Sequence, residues 1–503
     1  MKMIIGGEKV DSFSGKTIDI INPATGEFLD TIPAATKEDV DRALDLSKIG
    51  FKKWGKTTLM QREAIFNKFC QLVDKEENYK WFMKTLALEA GKSPKMTHFE
   101  IGGLKELFKG YLETAKRYDG KVLVPGTEVG HDGHTEKDLV MLVHEPVGTV
   151  VSIIPFNAPL MLFGYKVAPA LAAGNAVIVK PPTDNPSTCI RAVELLHEAG
   201  VPGEALQIIT GRGSDLGNLL IDDPRIDAIT MTGSTEIGIE IAKSMAKHLR
   251  PCSLELGGND AFIVMPDADL DEVVPLCAFG RTGNAGQVCI SPKRFLIHRD
   301  IIDKFTEKVL ELIKLVEWGF PEDVDAAVKE AYESGSYTTS RALDLIQMCS
   351  IINEKAAIEV EKQVQHTIDQ GAKLVYGGKR HGAFFEPTVL VNVTKDMDVA
   401  KDMEIFGPVI PLISFDTFEE AMEIANQSIY GLAGCIFTAD WKLGMRAAQE
   451  MQTGEVIVNG TGLFRNMMQP FGGYKQSGMG KEGFVTLGEM MEEKTVVFKG
   501  FLR

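Results

Sequence analysis

Short runs of β-branched and apolar residues alternate along this chain with longer stretches in which apolar positions recur every three or four residues. That alternation predicts an α/β fold built on parallel sheet. In the first half, Val150–Ile154, Ala176–Val179, Leu206–Ile209 and Asp227–Met231 read as buried strands. Leu162–Ala172, Cys189–Glu198 and Ile239–Leu249 read as the helices between and after them. A repeat of about 25 residues is the spacing of successive βα units. The second half continues in the same style. Strands are predicted at Phe262–Met265, Arg294–Ile297 and Glu455–Val458, and helices at Leu270–Arg281, Phe305–Val316, Thr417–Ile424 and Leu443–Met451.

Two segments stand outside this rhythm. Lys137–His144 and Thr495–Phe498 read as exposed strands in search of a partner, of the kind that pairs between subunits at the edge of large enzymes. A third needs explanation because Val147–Tyr165 is uncharged over 19 residues, about the length of a membrane span. Pro155, Asn157 and Pro159 lie near its middle, so it cannot be one helix. A buried strand, a loop and a helix start fit better.

The 503 residues suggest two to four domains at roughly 150 residues each. With 44% hydrophobic and 25% charged residues, the chain has the make-up of an ordinary globular protein, not of a disordered or disulfide-stapled one. A formal net charge of −16 argues against coating nucleic acid or an anionic membrane, though not against a local basic pocket. Seven scattered cysteines without a CxxC pair suit a reducing, cytoplasmic setting. No metal site is expected.

Five stretches carry chemical promise. In Asn284-Ala285-Gly286-Gln287-Val288-Cys289-Ile290, the turn can hold the Cys289 thiol where backbone N–H groups favour its thiolate; the competing reading is a small buried hydrophobe. Glu255, in Leu254-Glu255-Leu256-Gly257-Gly258, sits in apolar surroundings that would suit a general base, or else caps a strand end. Asn157 lies between stiff prolines, where its amide is either an oxyanion donor or a plain turn residue. Thr232-Gly233-Ser234-Thr235 opens a helix after a strand, which is either a phosphate site or a simple cap. Lys180 ends a strand, where it reaches a ribose or phosphate or is merely solvated.

The order and spacing of these stretches resemble the aldehyde dehydrogenase superfamily. The likeness runs from Asn22-Pro23-Ala24-Thr25-Gly26-Glu27 to Pro470-Phe471-Gly472-Gly473-Tyr474-Lys475-Gln476-Ser477-Gly478, and includes Glu404-Ile405-Phe406-Gly407-Pro408. In that family the cysteine matching Cys289 attacks the aldehyde carbon, and the amide matching Asn157 holds the oxyanion. The resulting thiohemiacetal gives up hydride to a nicotinamide cofactor, and the glutamate matching Glu255 activates the water that hydrolyses the thioester. Coenzyme A-acylating members typically lack that glutamate, so its presence favours a carboxylic acid product; an acylating enzyme and a non-catalytic structural relative are the alternatives.

The resemblance also implies a cofactor site. Ile153, Pro155, Thr183, Thr232, Ile237 and Leu256 would line it, with Lys180 at the adenosine ribose, Gly213, Gly217, Gly233 and Ser234 around the adenosine and pyrophosphate, and Glu404 and Phe406 at the nicotinamide end. NAD-preferring members usually carry a glutamate where this chain has Thr183. Together with Gly211-Arg212-Gly213-Ser214 this resembles the NADP-dependent non-phosphorylating glyceraldehyde-3-phosphate branch, so NADP is expected, with NAD the other choice.

For the aldehyde pocket, Phe156, Leu162, Val288, Ile290 and Phe471 are implied, with Arg465 as anchor for an anionic or oxygen-rich tail or as a solvated loop residue. Succinic semialdehyde enzymes usually carry an arginine where this chain has Gly283, although Arg281 is close.

The implied architecture has three parts. A Rossmann-like cofactor domain takes 1–124 and 145–254, and an α/β catalytic domain takes 255–480. A small β oligomerisation arm takes 125–144 and 481–503, giving a homodimer or homotetramer. One departure from relatives is an apparent helical hairpin within 324–350, with helices at Asp325–Tyr332 and Ser340–Cys349, expected near the rim of the catalytic domain.

Overall fold

The computed structural model describes residues 1–123, 138–335 and 347–501. Its helices relevant here are α1 (Lys37–Trp54), α2 (Leu59–Asp74), α3 (Glu76–Ala90), α4 (Pro94–Lys116), α5 (Pro159–Ala173), α6 (Ser187–Ala199), α7 (Gly213–Ile221), α8 (Thr235–Lys247), α9 (Leu270–Thr282), α10 (Ile302–Ile313) and α11 (Val324–Ser334).

The first sheet has eight strands, in the order Glu8–Val10, Met3–Ile5, Leu206–Ile208, Ala176–Lys180, Thr149–Ile153, Ala228–Thr232, Cys252–Glu255, Gly478–Met479. Its five central strands run parallel, and the edges are antiparallel. The chain winds outward in both directions from Thr149–Ile153, so a crevice opens between the carboxyl ends of Thr149–Ile153 and Ala228–Thr232. Open α/β sheets bind ligands at such a switch point. The uncharged stretch divides as its prolines require, into the strand Thr149–Ile153, a loop and α5.

A second sheet of seven strands runs Lys373–Tyr376, Thr388–Val393, Val409–Phe415, Arg294–His298, Ala261–Val264, Ala433–Phe437, Glu455–Val458, parallel except at its first strand. Both sheets are buried on their faces, which explains their continuous Val/Ile/Leu/Phe runs. The chain passes from one to the other through Leu256–Asp260, directly after Glu255.

A third sheet has three strands, with Leu139–Pro146 in the middle, Met491–Phe498 on one side and Lys121–Leu123 on the other. The two strands read as seeking partners pair with each other within the chain, antiparallel from Met491↔Pro146 to Phe498↔Leu139. Residues 125–137 and 502–503 of the expected arm lie outside the described residues.

The insertion also differs from expectation. Its first helix is α11, capped where Asp323 accepts the Ala326 N–H at 2.9 Å. The second expected helix is not continuous to Cys349, because Gln347–Met348 is a strand lying parallel to Glu317–Trp318; 340–346 lie outside the described residues. Nor does α11 sit at the rim of the second sheet. Val328 and Ala331 bury against the first-half helices, Tyr332 meets Tyr79 edge-on at 5.6 Å, and Lys84 on α3 reaches Asp325 at 2.7 Å.

Candidate active site

Glu255 ends the fifth parallel strand of the first sheet, with its side chain buried. Cys289 arrives from the other side. After α9 the backbone makes a tight turn in which Asn284 and Ala285 hold φ of 51° and 53°. Left-handed geometry at non-glycine residues is costly, and such strain collects at functional turns. The Asn284 amide donates to the Asn157 carbonyl at 3.0 Å and the Gln287 carbonyl at 3.3 Å, tying the turn to the loop after Thr149–Ile153.

The Glu255 carboxyl faces the Cys289 thiol. Its two oxygens find no conventional hydrogen-bond partner among the described residues. Burial, helped by the negative charge of Glu482, pushes this carboxyl up to about 7, while Lys166 and the thiol pull in the other direction. Lys166 and Glu482 form a buried ion pair behind it. The thiol is pushed well above its ordinary value by burial and by Glu255, so the carboxyl disfavours charge on the sulfur. A carboxyl poised near neutrality beside a thiol is suited to moving protons at that sulfur or at a water next to it.

Asn157 lines both cavities that meet here, and its Oδ1 is buried without a partner among the described residues. Its own carbonyl is fixed by the Lys92 ammonium at 2.6 Å, and Asn185 holds the neighbouring Phe156 carbonyl at 2.8 Å. The amide is therefore held on a backbone clamped from two directions.

One cavity, of about 440 Å³, is the crevice of the first sheet. Pro155, Thr183, Thr232, Gly233, Ser234, Leu256, Glu404 and Phe406 line it, together with Cys289. Ile153 ends the strand beside it, and Ile237 donates its N–H to the Ser234 hydroxyl at 3.5 Å in the first turn of α8. A side chain added at Gly213 or Gly217 on α7 would meet nothing within 4 Å, leaving open space at this helix. Lys180 is buried, which lowers its ammonium to about 8, and its Nζ lies 3.4 Å from the Thr183 hydroxyl. Parallel strand ends, a capped helix start, a lysine and free space over two glycines fit a dinucleotide.

The second cavity, of about 210 Å³, is mostly apolar. Val288, Ile290 and Arg465 line it as expected from the resemblance, joined by Met96, Phe99, Phe279 and Leu463. Phe156 lies instead in the crevice, edge-on to Phe406 at 6.1 Å. Leu162 turns into the helical core, and Phe471 lies under the Arg465 guanidinium. Arg281 is fully buried, donating to the Val409 and Ile405 carbonyls and to the Ser291 hydroxyl, so it does not face the cavity.

The structure adds a residue that sequence reasoning missed. Lys293 is buried, and its ammonium donates to the carbonyls of Cys289 at 2.6 Å and of Val288 and Ser291 at 3.2 Å, with Glu404 also at 3.2 Å. It ties the thiol's own loop to a wall of the crevice. In sequence, Pro292-Lys293-Arg294 looks like an ordinary charged turn. Replacing Lys293 by Met is expected to leave buried carbonyls and Glu404 unpaired, lowering the melting temperature by several degrees and slowing alkylation of Cys289 by iodoacetamide. Unchanged values for both would refute this role.

The Aldehyde dehydrogenase family profile matches residues 10–496. The chain is 37% identical over 485 residues to the mitochondrial succinate-semialdehyde dehydrogenase of Arabidopsis thaliana, covering 95% of this chain and 85% of that one. It is 35% identical to the D-glyceraldehyde dehydrogenase (NADP(+)) of Picrophilus torridus, covering 91% and 88%. Among solved structures, 3,6-anhydro-L-galactose dehydrogenase in complex with NAP matches with a TM-score of 0.89 at 32% identity, over 99% of each chain. With this agreement along its length and the thiol, carboxyl and amide gathered at one junction, the chain belongs to the aldehyde dehydrogenase family.

Proposed function

We propose that this protein oxidises an aldehyde to a carboxylic acid with NAD(P)+. The observation that carries the reading is the Cys289 thiol facing the Glu255 carboxyl where the dinucleotide crevice meets the apolar cavity. Glu255, titrating near neutrality, accepts the thiol proton as the sulfur adds to the aldehyde carbon. The Asn157 amide, on its clamped loop, donates to the oxygen that becomes negative. NAD(P)+ bound in the crevice supplies the acceptor for the hydride lost as the thiohemiacetal becomes a thioester. Glu255 gives up the thiol proton to solvent, then takes one from water as the water attacks the thioester carbon and passes it to the departing sulfur, so that Cys289 leaves as the thiol.

Lys180, Thr183, Gly213, Gly217, Gly233 and Ser234 would hold the adenosine and pyrophosphate, and Glu404 the second ribose. The relatives include both NADP-named and NAD-bound proteins. Thr183 supports NADP here. It stands where a carboxylate would repel a 2′-phosphate, its hydroxyl donating to the Gly211 carbonyl at 3.2 Å with the Lys180 ammonium 3.4 Å away. Thr183→Glu is expected to lower the NADP:NAD ratio of kcat/KM by about tenfold or more, the penalty of adjacent like charges. A ratio that does not move would sink the assignment.

The surrounding features support a cytoplasmic homo-oligomer. All seven cysteines are unpaired, and the three-stranded sheet leaves Val122, Leu123, Val497 and Phe498 exposed on its two outer strands. No described helix is long and apolar enough to cross a membrane. The test of the whole reading is the absorbance of reduced cofactor with a panel of aldehydes, with and without coenzyme A. Acid formation independent of coenzyme A is expected; an absolute requirement for coenzyme A, or no turnover, overturns it.

A further inference from the structure

Most polar groups around the apolar cavity are satisfied by one another; Asn157 Oδ1 and Arg465 Nη1 are buried without a partner among the described residues. Lys92 and Glu100 form a buried ion pair, Lys92 also holds the Asn157 carbonyl, and Glu100 accepts the Leu160 N–H at 3.1 Å. Their charges cancel. The Asn284 amide is occupied by two carbonyls. Arg465 is different. It has no ion-pair partner among the described residues, and its Nη1 is buried with no hydrogen-bond acceptor. Its guanidinium is held by stacking, 3.5 Å from the centre of the Phe471 ring and 5.1 Å from that of Tyr165. Aromatic faces fix the plane of the group and leave the Nη1 donors free to meet a ligand in that plane.

A guanidinium nitrogen buried without an acceptor is costly unless a ligand completes it. We infer that the aldehyde taken by this cavity carries an anionic group at the end away from its carbonyl, and that Arg465 is the residue that selects it. This rests on the aldehyde-oxidising reading above and adds the substrate class. A planar fork of donors suits a carboxylate, sulfonate or phosphate, and the apolar wall of Met96, Phe99, Val288 and Leu463 suits a short hydrocarbon spacer.

The experiment compares kcat/KM for 4-oxobutanoate with that for its uncharged methyl ester. 3-Oxopropane-1-sulfonate and 3-oxopropyl phosphate serve as further arms that separate the three anions. The wild-type protein is expected to favour at least one anionic aldehyde over the ester by about 10- to 100-fold, the range for a hydrogen bond to a charged group. In Arg465→Met that ratio falls to near unity, and Arg465→Lys keeps part of it. A wild-type preference for the ester, or a Met variant in which both substrates fall together, overturns the inference.

Melting curves with succinate or propane-1-sulfonate separate its failure from that of aldehyde oxidation. Stabilisation of the wild type but not of Arg465→Met supports the anion site without any turnover. Turnover of uncharged aldehydes with no such stabilisation refutes the anion site alone.

Discussion

Replacing Cys289 by serine is expected to lower aldehyde turnover by about 10³-fold or more, measured as the appearance of reduced cofactor. The basis is geometric as well as chemical. Cys289 is the thiol that faces Glu255 and lines the crevice. Of the others, Cys70, Cys189, Cys277, Cys349 and Cys435 are buried in the packed interior, and Cys252 lies at the start of the strand that Glu255 ends. A serine hydroxyl fits the same space but is a far weaker nucleophile and a poor leaving group from an acyl intermediate. The fold should survive, since one sulfur is exchanged for oxygen in a loop held by Lys293 and Asn284. Parent-level turnover in a folded Cys289→Ser protein would leave the reading without its nucleophile.

Glu255→Gln is expected to slow both halves of the reaction, hydrolysis more than acylation, because solvent can still take the thiol proton. Its amide cannot take a proton from water, so the acyl group stays on the sulfur. Steady-state kcat falls by about 10²- to 10⁴-fold, while acylated protein accumulates and is seen by mass spectrometry under aldehyde and cofactor. Where hydrolysis limits the rate, the wild type should lose activity as pH falls through about 7, because the carboxyl is then protonated. The variant should lack that limb.

Stability follows the opposite course. A carboxyl raised from 4.5 to about 7 in the native state holds its proton more tightly there than in the unfolded chain, so native stability declines as pH rises through that window. The gap in melting temperature between variant and wild type should therefore move in the variant's favour from pH 4.5 to 7. A gap independent of pH would mean that Glu255 is not strained by its surroundings.

Much of this organisation was legible in the chain, for identifiable reasons. The parallel strands are buried on both faces, so they appear as unbroken apolar runs such as Ala176–Val179. Cys289, Glu255 and Asn157 each sit at a turn or strand end, where small residues and prolines punctuate the sequence. Side-chain direction was less accessible. Every residue of α5 is buried, so no polar face reveals that Leu162 points into the core. Met96, Phe99 and Glu100 share one face of α4 at helical spacing, indistinguishable in sequence from a core stripe with one charge. Arg281 and Arg465 look alike on paper. Only packing shows that carbonyls saturate one while the other keeps an open donor.

The insertion braces a cavity wall, a role that its sequence position conceals. His98, on the turn of α4 between Met96 and Glu100, is pinned between the Tyr79 hydroxyl at 2.8 Å and the Ala331 carbonyl of α11 at 2.8 Å. Met96 and Glu100 flank it on the wall of the aldehyde cavity. A segment more than two hundred residues downstream thus braces that wall from outside. Pocket shape in this protein is shared with a remote strut, and amino-acid changes in the strut can retune specificity without altering a single residue that meets the ligand.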